Sequence, residues 1–467
     1  MFQILIGVIF VILLILICYT VMLFARVSFI SKIKSRLLRI IVSLVPIVIV
    51  FLLFNMVNSI VILLHLSIFV GISSLLFKVF KKSDKNNLIV LFGLLTTIIY
   101  LSIGAYLDYH VFETKYEVFT QKEIGTDKFR IIQIADSHVG TTFDGNGFYK
   151  KIEDISKIDS DLFVITGDFV DDDTTKEDMV KSCEALGMIN SKYGVYFIYG
   201  NHDKGYFNYR NFKEEDLIQE LEKNNVKVLK DEAIELNDYI YLIGREDKSY
   251  PRKSISELTN NLDKSKYIID LNHQPNDYDN EKKSNVDLVL SGHTHGGQLF
   301  PLGYIGVLFK ANDMFKGMKK IDNTYFVVNT GISDWAIDFK TGTHSEYVII
   351  DIVKNKRWIY MNSMKDVYNR LKKEYKKLDI IYTESNDTID IKNGKYIISA
   401  SDKMVELSKT LSYVNHKVNR DYKEVYKTIV SYIKDPNGYI KAKRIQLVVV
   451  LIISLILTLA IGLILDI

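Results

Sequence analysis

Long uncharged apolar stretches dominate the first 107 residues of the chain. Residues 1–25 carry no charge, and residues 40–77 form a second run without one. A single helix over that second run would be about 57 Å long, whereas the hydrocarbon core of a bilayer is about 30 Å thick. We therefore expect this run to form two helices that turn near Asn55 and Asn58.

Two further apolar stretches complete this pattern. Residues 88–107 are long enough to cross a bilayer, and residues 445–465 form a similar stretch near the end of the chain. Residues 1–107 are therefore predicted to hold four transmembrane helices, and residues 445–465 a single C-terminal one.

Basic residues flank the apolar stretches unevenly. One group lies between the first and second predicted spans and another between the third and fourth; they are Arg26, Lys32, Lys34, Arg36, Arg39, Lys78, Lys81, Lys82 and Lys85. Because short loops rich in Lys and Arg stay in the cytoplasm, the fourth span should carry the chain out of it. A basic group at residues 441–444 points the other way, but two short basic loops outweigh one group beside a long domain. We expect an integral protein of the cell membrane with an extracytoplasmic central domain.

Between residues 115 and 363 the pattern changes to short apolar runs separated by polar, helix-like stretches. Runs with the length of a buried strand are FRIIQIAD (129–136), DLFVITGD (161–168), GVYFIYGNHD (194–203), KYIIDLNHQP (266–275) and VDLVLSGHTH (286–295). Residues 176–190 and 211–225 between them have helical character. This alternation predicts an α/β domain. Closely spaced later runs, including TYFVVNT, EYVIIDIV and KRWIYMN, indicate a second sheet.

Charge separates this domain from the segment that follows it. Residues 108–363 hold 32 Lys and Arg against 43 Asp and Glu, whereas residues 364–444 hold 18 against 11. An acidic domain is not expected to bind nucleic acid, because phosphate backbones are bound by basic surfaces; it suits cations. The two cysteines, Cys18 and Cys183, have no motif spacing, so neither a disulfide nor a thiolate metal site is expected.

Residues 364–444 are expected to form a basic tail of helices and one hairpin. The stretch MKDVYNRLKKEYKKL predicts a basic helix, and Asn393-Gly394 predicts the turn of a hairpin. Residues 402–434 predict one or two amphipathic helices. The tail could be a spacer or could recognise anionic lipid; we favour the spacer because runs of charge are usually solvated.

Polar residues with metal-ligand chemistry follow the predicted strands of the central domain. They are Asp136 and His138, Asp168 and Asp171, Asn201, His202 and Asp203, His273, and His293 and His295. In α/β sheets the ligand crevice lies beyond the carboxyl ends of the strands, so five segments would send these side chains to one edge. Each segment alone is weak, but five together predict a metal site. Carboxylate, amide and imidazole ligands without thiolate suit Mn, Fe or Zn.

The five segments resemble those of the calcineurin-like metallophosphoesterase family, in its membrane-anchored bacterial branch. The family order is D-x-H, G-D-x-x-D, G-N-H-D, a lone His and G-H-x-H. Here the motifs stand as Asp136-Ser137-His138, Gly167-Asp168-Phe169-Val170-Asp171, Gly200-Asn201-His202-Asp203, His273 and Gly292-His293-Thr294-His295. The resemblance covers residues 128–353 and implies a four-layer α/β/β/α sandwich.

The resemblance also implies a centre of two divalent metal ions (Mn, Fe or Zn). One ion would be held by Asp136, His138, Asp168 and His295, and the other by Asp168, Asn201, His273 and His293, as the family pattern assigns them. A hydroxide bridging the two ions would attack a phosphodiester or pyrophosphate bond. His202 would serve as the acid for the leaving oxygen and Asp171 would orient it. The expected substrates are phosphorylated molecules, and lipid-linked phosphates are among the candidates.

One departure from the family pattern lies near the closing strand. Relatives in the branch often carry an arginine shortly before that strand, where this chain offers Lys340 and His344.

Other functions are also open at this point. The main alternative is a non-catalytic receptor that uses the metals to bind phosphorylated ligands. Its mark would be a lost ligand or the loss of His202, and neither is lost. A transport role has less support. The sequence does not predict the oligomeric state.

Overall fold

The protein is described here by a computed structural model. It describes residues 15, 17–80, 87–207, 210–354, 363–393, 396–401, 404–409, 412–417 and 422–434. Most of the predicted first span, all of the predicted last span and the strand predicted at 356–362 lie outside these residues. The chain divides into two compact units, one holding the apolar helices and the central domain and the other formed mainly by residues after 355.

The apolar helices follow a short helical turn, α1 (Ser28–Ser31). They are α2 (Arg36–Leu53), α3 (Met56–Val79) and α4 (Leu88–Tyr109). Within the described residues, these three are long and apolar enough to cross a bilayer. The expected turn near Asn55 and Asn58 is confirmed, and the Asn55 side chain accepts a hydrogen bond from the Asn58 N–H at 2.8 Å, which caps the start of α3.

The central domain contains two six-stranded sheets. The first half comprises β1 (Val111–Thr120), β2 (Lys128–Ile134), α5 (Gly145–Ile155), β3 (Leu162–Thr166), α6 (Lys176–Leu186), β4 (Val195–Ile198), α7 (Glu214–Lys223) and β5 (Val226–Val228). The second half comprises β6 (Glu232–Asn237), β7 (Ile240–Gly244), α8 (Ile255–Thr259), β8 (Tyr267–Leu271), α9 (Tyr278–Lys283), β9 (Leu288–Ser291), α10 (Leu302–Leu308), β10 (Gly317–Ile321), β11 (Thr324–Val328) and β12 (Ser345–Lys354).

The strand order places the central strands of both sheets in parallel. The first sheet runs β1-β12-β2-β3-β4-β5 and the second β10-β11-β9-β8-β7-β6. Strands β2 to β5 are parallel, as are β7, β8, β9 and β11. Such strands are buried on both faces, which explains why runs such as LFVIT in β3 are apolar up to Thr166 and entirely buried.

Three hydrophobic clusters define four layers. Between the sheets, Ile131 and Val164 of the first sheet share a cluster with Ile269 and Leu290 of the second. On the outer face of the first sheet, α5, α6 and α7 contribute Phe148, Met179 and Leu217. On the outer face of the second sheet, α8 and α9 contribute Ile255 and Tyr278. The predicted α/β/β/α sandwich is therefore confirmed.

The second unit contains a five-stranded antiparallel sheet and two helices. Its elements are α11 (Met364–Glu374), β13 (Asp379–Thr383), β14 (Thr388–Asn393), β15 (Tyr396–Ala400), β16 (Met404–Lys409), β17 (Ser412–Lys417) and α12 (Tyr422–Lys434). The basic helix and the hairpin at β14–β15 are as expected. The prediction that residues 402–434 are wholly helical is wrong, because β16 and β17 form a second hairpin. Buried Val405 and Leu407 alternate with less buried Met404 and Glu406, which is the period of a strand.

Candidate metal centre

Five strands deliver the predicted site residues to one edge of the sandwich. Asp136 and His138 follow β2, Asp168 follows β3, Asn201 follows β4, His273 follows β8, and His293 and His295 follow β9. The two sheets therefore contribute to one site, because the carboxyl ends of these strands lie together. A contact between the sheets shows this closeness directly, since the His293 N–H after β9 donates to Asp136 Oδ1 after β2 at 2.8 Å.

The backbone at these positions is unusual. Five of the predicted ligands have positive φ angles: Asp136 (51°), His138 (36°), Asp168 (52°), His293 (72°) and His295 (46°). A residue with a side chain rarely adopts this left-handed conformation, although Asp, Asn and His do so more often than others. Strained backbone of this kind clusters at functional sites, where the surrounding structure imposes it. No motif in the sequence indicates this feature.

Two glycines leave room for the carboxylates. A Cβ atom added to Gly200 would lie 2.1 Å from Asp168 Oδ1, and one added to Gly292 would lie 2.6 Å from Asp136 Oδ2. Both distances are too short for any side chain. The glycines beside the motif residues therefore allow the backbone of one strand end to approach the carboxylate of another.

The predicted ligands fall into two groups. The ligand atoms of Asp136, His138 and His295 lie within 4.8 Å of one another, and so do those of Asp168, His273 and His293. Asp168 stands between the groups, because its Oδ2 lies 3.1 Å from His273 Nε2 and 3.7 Å from His138 Nε2.

Asn201 belongs to the second group. Its Oδ1 lies 3.3 Å from His273 Nε2, and its Nδ2 donates a hydrogen bond of 2.8 Å to the hydroxyl of Tyr206. The tyrosine thus turns the amide oxygen of Asn201 towards the His273 group. Tyr206 carries no motif signature in the sequence, and only the fold reveals its contact.

The residues fit divalent cations. Among the described residues, His138 Nε2 and His293 Nδ1 are buried nitrogens without a hydrogen-bond partner. Buried polar atoms are nearly always satisfied, so each of these imidazole nitrogens, one in either ligand group, needs a partner that accepts its lone pair. A cation supplies one, and a set of Asp, His and Asn without thiolate is typical of sites for Mn, Fe or Zn.

The second ring nitrogen of three histidines is held by the protein. His138 Nδ1 lies 2.9 Å from Asp171 Oδ2, His273 Nδ1 lies 2.8 Å from Thr166 O, and His295 Nδ1 lies 3.2 Å from Asp334 Oδ1. Such contacts fix the orientation of a ligating imidazole. Asp334 was not predicted, although it follows β11 at the same edge as the motif residues, and that position could have identified it.

Asp171 contacts two histidines instead of one. Besides His138, its Oδ1 lies 3.0 Å from His202 Nδ1. Burial alone would lower the pKa of His202, but the hydrogen bond to Asp171 and the charges of Asp168 and Asp171 outweigh it and raise that pKa. Burial likewise opposes the ionisation of Asp171, yet its hydrogen bonds to the two histidines hold its pKa well below the usual range. The rings of Tyr206 and Trp335 flank His202, with centroids 5.0 and 5.6 Å from it.

Asp203 organises the loops without joining either group. Its carboxylate accepts hydrogen bonds from four backbone N–H groups, those of Gly200, Asp168, Phe169 and Val170, at 2.6–3.1 Å. Burial and the charge of Asp168 raise the pKa of Asp203 to about 6. Asp203 therefore ties the loop after β3 to the loop after β4, which places Asp168 beside Asn201.

Neither Lys340 nor His344 reaches the site as a substitute for arginine. Lys340 is completely buried, and its ammonium donates to Thr330 O, Ser333 O and Ser345 Oγ at 2.9–3.1 Å. Its Nζ also lies 3.4 Å from Asp334 Oδ1. His344 is partly exposed and pairs with Glu346 instead, with its Nε2 3.7 Å from Oε2. Lys340 therefore stabilises the loop that follows β11, through its bonds to Thr330 and Ser333.

Comparison with known proteins places this geometry in a family context. The sequence profile described as Calcineurin-like phosphoesterase matches residues 129–297. An uncharacterized metallophosphoesterase of Aquifex aeolicus is 29% identical over 264 residues, which cover 54% of this chain and 96% of that protein. The uncharacterized metallophosphoesterase YkoQ of Bacillus subtilis is 30% identical over 197 residues, covering 40% of this chain and 70% of its own length.

One eukaryotic relative is described as a transmembrane protein. A transmembrane protein with metallophosphoesterase domain from Danio rerio is 29% identical over 233 residues, covering 46% of this chain and 51% of that protein. The chain thus spans about half of that relative, and the match concerns the central domain.

Proposed function

This chain belongs to the calcineurin-like metallophosphoesterase family, and from that membership we propose a membrane-anchored phosphoesterase with a dinuclear metal centre that hydrolyses a phosphodiester or pyrophosphate bond. The observation that carries the proposal is the two ligand groups that Asp168 links, with His202 beside them. We infer that Asp136, His138, Asp168 and His295 hold one ion and that Asp168, Asn201, His273 and His293 hold the other.

The metals and the protein have separate tasks in this proposal. When bound, the two cations supply an activated water and neutralise charge on the phosphoryl group. His202 donates a proton to the leaving oxygen, because Asp171 holds its Nδ1 and leaves its Nε2 for the substrate. Asp171 also aligns His138, so one carboxylate sets the position of both the proposed acid and a proposed ligand.

The membrane helices support an extracytoplasmic position for the domain. The first turn of α3 and the end of α4 contact the domain, because Asn58 Nδ2 donates to Asp338 Oδ2 at 2.8 Å and the Lys340 N–H donates to Gly104 O at 3.0 Å. The basic residues at the start of α2 and the end of α3 lie at the opposite ends of these helices. By the positive-inside rule, the basic ends are cytoplasmic and the domain lies outside.

A cavity among the apolar helices supports a lipid-linked substrate. Its volume is about 460 Å³, and its lining residues belong mainly to α2, α3 and α4, with Phe339 from the central domain. Volumes of this order are typical of ligand sites. The apolar lining suits an acyl or isoprenoid chain.

The enzyme proposal is tested on the full chain, purified in detergent with added Mn²⁺. The expected result is turnover of bis(para-nitrophenyl) phosphate in preference to para-nitrophenyl phosphate, with strong loss in a His202→Ala variant. A variant that kept the full rate would reject the acid role of His202. Bound metal without turnover of either ester would favour the receptor function instead.

The orientation is tested separately on intact cells. A protease added outside should cut within residues 115–363, because the domain is exposed there. Cleavage only after lysis would reverse the proposed topology, and it would leave the enzyme proposal untouched.

A further inference from the structure

An exposed apolar segment follows the last motif of the metal centre. Residues 300–309, here called the apolar segment, contain no charged side chain and include α10. Phe300 is 59% exposed, Tyr304 59%, Leu308 75% and Phe309 77%. Soluble proteins rarely expose a contiguous apolar patch of this kind, and such a patch marks an interaction surface.

The apolar segment begins at the membrane helices. Leu299, directly before it, is buried in a cluster with Val61 of α3, Leu101 of α4 and Phe339. The N–H of Phe300 donates to Thr341 Oγ1 at 3.1 Å. Thr341 adjoins Lys340, whose N–H bonds to Gly104 O near the end of α4. The exposed surface is thus continuous with the ends of helices that cross the bilayer.

The apolar segment is also packed against the metal loop. A Cβ atom on Gly297, two residues after His295, would lie 2.4 Å from the Cα atom of Gly303 in α10. Gly303 in turn packs on Phe315, because a Cβ atom there would meet that ring at 2.4 Å. Whatever surrounds α10 therefore also borders the loop after β9, which carries His293 and His295.

Basic residues follow the apolar segment in the sequence. Lys310, Lys316, Lys319 and Lys320 stand against Asp313 and Asp322 over the next thirteen positions. Of these lysines, Lys316 is tied to the protein, since its Nζ donates to Gly342 O at 2.6 Å. An apolar run followed by lysines suits the boundary between acyl chains and anionic headgroups.

We propose that residues 300–309 insert into the bilayer surface beside α3 and α4, so that the metal centre opens towards the lipid headgroups. The partner is the lipid bilayer, because the surface continues one that the membrane helices already occupy. That the substrate phosphate arrives from the membrane rests on the proposed function; the insertion itself does not.

Insertion is tested with a fluorescent label on the full chain in nanodiscs that contain phosphatidylglycerol. Leu308→Cys is combined with Cys18→Ser, while the buried Cys183 remains. Phe309→Cys is a second reporter, and Tyr239→Cys, at a 39% exposed position in the turn between β6 and β7, is the matched control. The label is an environment-sensitive dye, quenched either by lipids with a nitroxide on the acyl chain or by aqueous iodide.

The expected result is a blue-shifted emission at Leu308 and Phe309, with nitroxide quenching several-fold stronger than at Tyr239. Iodide should quench in the reverse order. Labels at Leu308 and Phe309 that iodide reaches as well as it reaches Tyr239 would overturn the insertion. Labels shielded from both quenchers would also overturn it, because a protein surface would then cover the segment.

Access from the membrane is tested by comparing two substrates on the same samples. The ratio of hydrolysis of para-nitrophenyl hexadecyl phosphate in nanodiscs to that of bis(para-nitrophenyl) phosphate should fall several-fold in Leu308→Ser and Phe309→Ser. An unchanged ratio would reject entry from the membrane. Absence of hydrolysis of both esters in the unmodified chain would instead reject the proposed function, and the label result would still decide insertion.

Discussion

Replacing Asp334 tests whether a residue outside the five motifs holds a proposed ligand in place. Asp334→Ala removes the oxygen that accepts the hydrogen bond of His295 Nδ1 at 3.2 Å. It also removes the carboxylate 3.4 Å from the buried ammonium of Lys340. Asp334→Asn is the matched control, because its amide oxygen can still accept from His295 at nearly the same volume.

The size of the effect follows from the burial of the contact. Loss of a partner behind a metal ligand costs about 10–100-fold in metal affinity, which is about 1.4–2.7 kcal/mol. The Asp334 side chain is only 1% exposed. Water cannot readily replace its oxygen, so we expect Asp334→Ala near the upper end of this range and Asp334→Asn near the lower end. The loss should concern the ion beside His295 and spare the ion beside His273.

The assay measures metal content of the purified full chain after dialysis against graded chelator. The unmodified chain should release two equivalents together, whereas Asp334→Ala should release one of them at a lower chelator concentration. Thermal unfolding of the same samples separates this effect from loss of the fold. Two equivalents held as firmly as in the unmodified chain would refute the reasoning, and equal weakening of both ions would show a general disturbance of the site.

Three further predictions concern other contacts of the domain. His293→Ala and His295→Ala should each deplete a different ion, measured by metal content, and both should abolish diester hydrolysis; depletion of the same ion would contradict the two-group arrangement. Asp203→Ala leaves four buried N–H donors unpaired and should cost about 4 kcal/mol or more, seen as a lower unfolding midpoint that Asp203→Asn partly restores. Asn58→Leu removes the hydrogen bonds to residues 336 and 338, so hydrogen exchange at Asp338 should accelerate while strand β3 stays protected; unchanged exchange would show that this contact does not hold the domain on α3.

The elements that deliver the site were predictable because their signal is local. Buried parallel strands appear in the sequence as short, mainly apolar runs. Asp168 and Asn201 each lie just after such a run. The split of residues 40–77 was predictable for a similar reason, since helix length is set by bilayer thickness. In both cases the signal lies within one continuous segment of the chain.

Contacts between distant segments were not predictable from one sequence. Asp334 meets His295 across 39 positions. Tyr206 lies close to Asn201 in the sequence, but no motif marks the turn that brings its hydroxyl back to that amide. The hairpin of β16 and β17 was mistaken for helix because short mixed runs satisfy both periods. The exposure of residues 300–309 is a property of the folded surface, which an apolar run alone does not reveal.

The positive φ angles at five of the proposed ligands restrict which substitutions these positions can accept during evolution. A left-handed residue costs about 1–2 kcal/mol unless its side chain tolerates that conformation, and Asp, Asn and His tolerate it best. A mutation at Asp136 or His295 must therefore satisfy the backbone as well as the ion. At these positions the ligand is therefore limited to the few residue types that tolerate a positive φ angle. Adaptation to a different cation would have to proceed through surrounding residues such as Asp171 and Asp334.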